Sequence, residues 1–289
     1  MSAKAEAMAH GAATIINAIA LGQGAAFGVN LFTKAEVKLT DEANVINGEI
    51  ISDPEESTVL IEKTVTRVLQ HFGVENKFGA DVKTTSNIPI ARGLKSSSTA
   101  ANAVAVATIA ALDKEIDDLT IINIGVDAAF DAKVTVTGAF DDACASYFGG
   151  IVVTDNINRK LLQRFPLPEG LTVLFHVPSK KTYTGNTDVN KLVKIKHKVK
   201  IAFEKAMKGN FWTALTLNGK FYASALGYDN SVATDALNAG ALAAGLCGKG
   251  PAMTAVVPND KLDYVKAALQ NHDGEILQTS FNMEKVKVI

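Results

Sequence analysis

The chain has 289 residues, 47% of them apolar and 20% charged, with a formal net charge of −1. This is the composition of a folded globular protein with enough apolar material for a sizeable core, arranged as about two domains or one large one. Near-neutrality gives no general attraction for nucleic acid or an acidic membrane surface, and no run of about 18 residues is apolar enough to span a bilayer, so neither partner is expected.

The first segment, "MSAKAEAMAHGAATIINAIALGQG", carries Glu6, His10, Asn17 and Gln23 and has no basic start followed by a clean apolar block. It does not read as a secretory leader, and the cytoplasm is the expected compartment. From Gly24 to Leu39 the chain alternates as a strand does, with β-branched and aromatic residues. Residues 44–51, "NVINGEII", read as the next strand, with Asn47-Gly48 as a turn signal. Pro54 and Glu55 open a helix expected to run to about Phe72, with Gly73 stopping it. A strand is expected over 78–89, helices near 97–112 and 119–131, and a buried strand at 149–155.

The chain then changes character. "LLQRFPLPEGLTVLFHVP" holds three prolines and a strong strand over Leu171–Val177. A domain boundary is expected near 155–168, giving units 1–158 and 159–289. Residues 188–210 read as a lysine-rich helix whose charges form a solvated face, since no aromatic stacking partners are interleaved. More helix to about Gly227, a glycine-rich turn, a strand (252–257), a helix (259–271) and a last strand (275–282) indicate α+β order in the second half. The two cysteines, Cys144 and Cys247, have neither disulfide-framework nor metal-ligand spacing and read as small buried residues.

The stretch with chemistry in it is "PIARGLKSSSTA", Pro89 to Ala100. A helix N-terminus leaves backbone N–H groups unpaired and carries roughly half a positive charge. Gly93 lets the backbone approach a ligand or take positive φ. Ser96, Ser97 and Ser98 are good N-cap residues and add hydroxyls, and the alanines that follow favour helix without bulk. The sum is an anion site suited to phosphate, to which Lys95 and Arg92 add charge and a serine hydroxyl could add a Mg²⁺ ligand. The plainer reading of the same residues is a capped structural helix. No G-x4-G-K-[ST] run occurs, and "GQGAAFG" (22–28) has Phe27 where a dinucleotide fingerprint needs glycine.

Pro89–Ala100 resembles the phosphate-binding motif of the GHMP kinase superfamily. Two further stretches agree in order: "TGAFDDACASYFGG" (137–150) is similar to the segment carrying that family's catalytic aspartate, and "GLCGKGPAMTAVV" (245–257) to its third, glycine-rich motif. Within the superfamily, "GAATIINAIALGQGAAFGVNL" (11–31) with 137–156 resembles the archaeal-type shikimate kinases, and the usual N-terminal motif of galactokinase and mevalonate kinase is missing. The resemblance implies a mixed α/β (α+β) GHMP kinase fold, with a first domain like domain 2 of ribosomal protein S5 and a ferredoxin-like second one. It implies ATP and Mg²⁺ as cofactors and phosphorylation of the 3-hydroxyl of shikimate. Another small-alcohol kinase, such as homoserine kinase, and a non-catalytic binding protein on the same fold stand as alternatives.

Carried onto this chain, the resemblance places the nucleotide phosphates on Pro89, Ala91, Arg92, Gly93, Leu94, Lys95, Ser96, Ser97, Ser98 and Thr99, with Ser97 or Ser98 reaching the metal. An acidic residue eleven positions before the catalytic one completes the metal site in related kinases, which makes Asp131 the candidate here. Asp141 and Asp142 both qualify as the base; in an extended segment only one would face the substrate, with the balance slightly toward Asp142. Gly248, Lys249 and Gly250 would bring a second loop to the substrate, and Lys4, His10 and Asn17 stand where such kinases place substrate or nucleotide contacts. Arg92, Lys180, Lys181 and Lys249 are the unranked candidates for the shikimate carboxylate.

Overall fold

The computed structural model describes residues 3–90, 93–179 and 189–289. The chain begins with two long antiparallel strands, β1 (Lys4–Ile16) and β2 (Gln23–Thr40). β2 serves two partners. Its second half, Thr33–Thr40, pairs with β4 (Gly79–Ser86), and its first half, Gln23–Phe27, pairs with β5 (Ile151–Asp155). β3 (Ile46–Ile50) lies parallel to β4 at one edge, and β6 (Lys160–Phe165) extends from β5.

Four helices cover one face: α1 (Val59–His71), α2 (Ser96–Ala111), α3 (Asp118–Asp131) and α4 (Phe140–Phe148). α1 buries Leu60, Ile61, Thr64, Val65, Val68 and Leu69, a stripe of helical period. α2 is nearly all alanine and β-branched residues on its buried side, and β1 meets it with alanines: Ala7, Ala9 and Ala12 are fully buried in the same core as Ala103, Val104 and Ala107. Small side chains let helix and sheet approach closely.

The opposite face of the first sheet presents Phe27, Val29 and Leu31 to a second core, shared with Val173, Phe175, Leu215, Tyr222 and Val256. Those residues come from a second, four-stranded antiparallel sheet ordered β10 (Glu275–Thr279), β7 (Leu171–Val177), β9 (Met253–Pro258), β8 (Ala243–Leu246). With it go α5 (Val189–Val193), α6 (Lys196–Met207), α7 (Phe211–Leu226), α8 (Ser231–Asn238) and α9 (Leu262–Leu269). The chain leaves the first sheet after Phe165 and returns to it at β11 (Lys287–Val288), which pairs with β1.

Three expectations change. Asn47-Gly48 is no turn: both residues sit inside β3, paired with Asp81 and Val82. The helix after Pro54 begins only at Val59. The lysine-rich stretch is two helices, of which α6 buries Val199, Ala202, Phe203 and Ala206 and leaves its lysines outward. Among the described residues no helix is long and apolar enough to cross a membrane.

Candidate active site

Four segments converge on one cleft: the turn after β1, the loop into α2, the stretch from Val134 into α4, and the turn between β8 and β9. The first is pinned from the second half of the chain. The Asn17 N–H donates to Asn218 Oδ1 (3.1 Å), and the Tyr222 hydroxyl donates to the Asn17 carbonyl (2.9 Å). The Asn17 side chain lines the cleft but accepts from the Ile19 N–H at 2.9 Å, so it also holds its own turn.

The second and fourth segments interlock through Gly93. Its φ is +85°, and a Cβ there would stand 2.8 Å from the Gly250 carbonyl oxygen and 3.0 Å from that of Cys247. Lys95 follows with φ +66° in the cap position of α2, and the helix begins at Ser96. The serines are therefore not caps, as the sequence suggested; no side chain caps this end. Ser96, Ser97 and Ser98 form the first helical turn and line the cleft beside the exposed N–H groups. Thr99 is different: it is buried, and its hydroxyl donates back to the Lys95 carbonyl at 3.1 Å. Pro89 is half-buried and is not among the residues lining the cleft, while Ala91, Arg92, Lys180 and Lys181 lie outside the described residues.

The left-handed backbone of Lys95 turns its side chain into the cleft, where Nζ donates to Asp142 Oδ2 at 2.8 Å. Burial opposes its charge, but the negative groups around it, Asp142 first and Asp141 with it, together outweigh that and hold the ammonium well above the ordinary lysine range. Asp141 and Asp142 are not in an extended segment. Both lie in the first turn of α4, about 100° apart around the axis, both are buried, and both line the cleft. Their environments differ. Asp141 Oδ1 accepts from Asn156 Nδ2 (2.8 Å), whose Oδ1 in turn accepts from the Thr154 hydroxyl (2.7 Å). Burial and the neighbouring Asp142 charge push Asp141 up to about 7. Asp142 has one oxygen on Lys95 and the other, Oδ1, buried without a hydrogen-bond partner.

Gly248 (φ +60°) lets the fourth segment pass against Lys95, since a Cβ there would lie 2.7 Å from Nζ. Lys249 and Gly250 line the cleft, and Lys249 Nζ is buried with no hydrogen-bond partner. Burial, then repulsion from Lys95, lowers it to about 8. A second, more apolar recess adjoins the cleft; Ile50, Leu60, Ile90 and Val134 line it, and it shares Ser96 and Ser97 with the first.

Other candidates are not brought here. Asp131 is engaged by Arg67, Nε to Oδ2 at 2.6 Å and Nη2 to Oδ1 at 2.9 Å, at the outer end of α3. Lys4 is exposed on β1 and pairs with Glu36 (3.0 Å) and Glu6 (3.3 Å). His10 is buried within β1, with Nε2 4.0 Å from Glu284 Oε2, and burial lowers its pKa. None of the three lines the cleft. Among the described residues no group of three or more His, Cys, Asp or Glu could hold a metal by itself. Sequence reasoning missed Asn156 and the pairing of Lys95 with Asp142. Asn156 ends the run "GGIVVTDN" and could have been found only from its closeness in sequence to the aspartates.

Known proteins resemble this chain in sequence and in fold. The family model for the GHMP kinases N terminal domain matches residues 59–150. A shikimate kinase of Methanosarcina mazei is 45% identical over 284 residues, covering 98% of this chain and 96% of the relative. One from Methanococcoides burtonii is 42% identical, covering 98% of each. Among solved structures, homoserine kinase from Cytophaga hutchinsonii superposes with a TM-score of 0.74 at 17% identity, covering 100% of this chain and 98% of that one, a likeness of fold.

Proposed function

Because the chain belongs to the GHMP kinase family, we propose that it transfers the γ-phosphoryl group of ATP to the 3-hydroxyl of shikimate, giving shikimate 3-phosphate and ADP. The observation that carries this is one cleft holding both halves of the chemistry. The N-terminus of α2 with its serine hydroxyls faces the same space as the Lys95–Asp142 pair.

Phosphoryl transfer asks the protein mainly for alignment and charge neutralisation. The N–H groups and hydroxyls at Ser96–Ser98 receive phosphate oxygens, and the adjoining apolar recess, which shares Ser96 and Ser97, suits the nucleoside. Mg²⁺ fits the donor set as an oxygen-seeking ion carried on the nucleotide and touched by Ser97 or Ser98, where it would neutralise phosphate charge. With Asp131 occupied by Arg67, the first turn of α2 supplies these contacts without it. Asp142 is the base: its unpartnered Oδ1 accepts the hydroxyl proton of the acceptor, while Lys95 fixes the other oxygen and neutralises the carboxylate. Asp141, gripped by Asn156, is the positioning neighbour.

An ADP-release assay with shikimate, homoserine and mevalonate tests this. Shikimate should stimulate turnover well above the other two; no stimulation by shikimate overturns the assignment.

A further inference from the structure

Two buried polar atoms in the cleft have no protein partner, and they are of opposite kinds. Asp142 Oδ1 is an acceptor, and Lys249 Nζ is a cation with three donors. Buried polar groups are nearly always paired, because each unpaired one forfeits its hydration for nothing. The course of the turn is set by backbone: the Gly250 N–H donates to the Cys247 carbonyl at 2.9 Å, and Cys247 N–H donates to the Ala252 carbonyl at 2.8 Å. Glycines at 248 and 250, both with positive φ, flank Lys249. The other titratable groups at the cleft have hydrogen-bond partners, Lys95 with Asp142 and Asp141 with the neutral amide of Asn156. An anionic group entering beside Lys249 would give its unpartnered ammonium the hydrogen-bond acceptor it lacks.

Resting on the kinase reading above, we infer that Lys249 receives the carboxylate of the acceptor, so that Lys249 and Asp142 together recognise a hydroxy acid. The nucleotide is the other source of negative charge, but its phosphates have their own donors at the first turn of α2, the N–H groups and hydroxyls of Ser96–Ser98. Lys249 reaches the cleft from the β8–β9 turn, which packs directly against the α2 loop at Gly93 and Lys95, and its Nζ has no protein partner there. The assignment also ranks the basic residues: among the described ones, Lys95 is committed and Lys249 is not.

The test compares an acid acceptor with its neutral methyl ester, in wild type and in Lys249→Met, with nucleotide affinity measured separately by calorimetry. The acceptor is whichever of shikimate, homoserine and mevalonate the wild type phosphorylates, so failure of shikimate alone falls on the proposed function and not on Lys249. Wild type should prefer the acid over the ester by about 10- to 100-fold in kcat/KM, the range of one charge-assisted hydrogen bond. Lys249→Met should lose that preference while its ATP affinity stays within about twofold, and Lys249→Arg should recover part of it. A wild type indifferent to the ester overturns the proposal whether or not the variant folds. An undiminished preference in Lys249→Met also overturns it, and loss of ATP affinity with the preference intact assigns the lysine to phosphate instead.

Discussion

Replacing Lys95 by methionine removes the cation that is hydrogen-bonded to Asp142. The two side chains meet at 2.8 Å and are 14% and 6% exposed, so solvent screens the pair little. Breaking a buried pair by deleting one partner costs about 3–5 kcal/mol, because the other charge stays behind undercompensated. Here the loss also reaches the neighbouring carboxyl of Asp141, which Lys95 helps keep ionised. Asp141 already stands at about 7, with Lys95 pulling it down, so without the lysine Asp141 holds its proton to still higher pH. The sign follows from linkage. A carboxyl raised in the folded state binds more protons there than when unfolded, so stability falls as pH rises from about 4 to its folded pKa. In Lys95→Met that fall should continue beyond neutral pH. The thermal-stability deficit against wild type should be larger at pH 9 than at pH 6, and turnover at neutral pH should drop at least about 100-fold, on the order of 2.7 kcal/mol. Lys95→Met/Asp142→Asn should regain stability over Lys95→Met, since the orphaned charge is gone. Differential scanning calorimetry across pH, with the double-mutant cycle, checks this. A deficit independent of pH, together with a double variant no better than the sum of its parts, would refute the pairing as the source of the effect.

Other substitutions test the remaining contacts. Asn156→Leu removes the donor on Asp141 and should raise that carboxyl above about 7, moving the acid limb of the pH–rate profile upward; a profile unchanged in shape denies Asn156 a positioning role. Gly93→Ala puts a Cβ 2.8 Å from the Gly250 carbonyl at a φ of +85°, and should cost about 1–3 kcal/mol and raise KM for ATP, as read by steady-state kinetics. Asp131→Asn should leave kcat and the Mg²⁺ dependence as they are and cost at most about 1 kcal/mol, because its bond to Arg67 is at the protein surface. A changed Mg²⁺ requirement would return Asp131 to the metal site.

How much of this was legible beforehand depends on which physical signal each element carries. β2, α2 and β7 follow directly from alternation or helix-forming composition. β1 does not, because "KAEAMAHGAATII" is rich in alanine, a residue that disfavours strands in isolation. It is a strand because α2 needs small residues opposite its own, a requirement written in a partner that begins only at Ser96. β3 was readable as extended, but its Asn-Gly pair imitates a turn; only pairing with β4 keeps it straight.

The site divides along the same line. The phosphate cradle is local: one loop and one helix end carry it, and the run from Gly93 to Ser98 can be read without tertiary knowledge. The aspartates are local in identity but not in role. An extended backbone would have pointed them apart; the first turn of α4 buries both, and their difference then comes from neighbours 15 and 47 residues distant, Asn156 for one and Lys95 for the other. Lys95 illustrates why spacing alone misleads. Its place in a phosphate-binding run suggests a phosphate ligand, but its left-handed φ turns the side chain away from the helix axis and onto Asp142. The same twist that frees the serines from capping therefore charges the base. One backbone conformation at one residue thus couples phosphate binding to proton acceptance, which is why a substitution there should disturb both together.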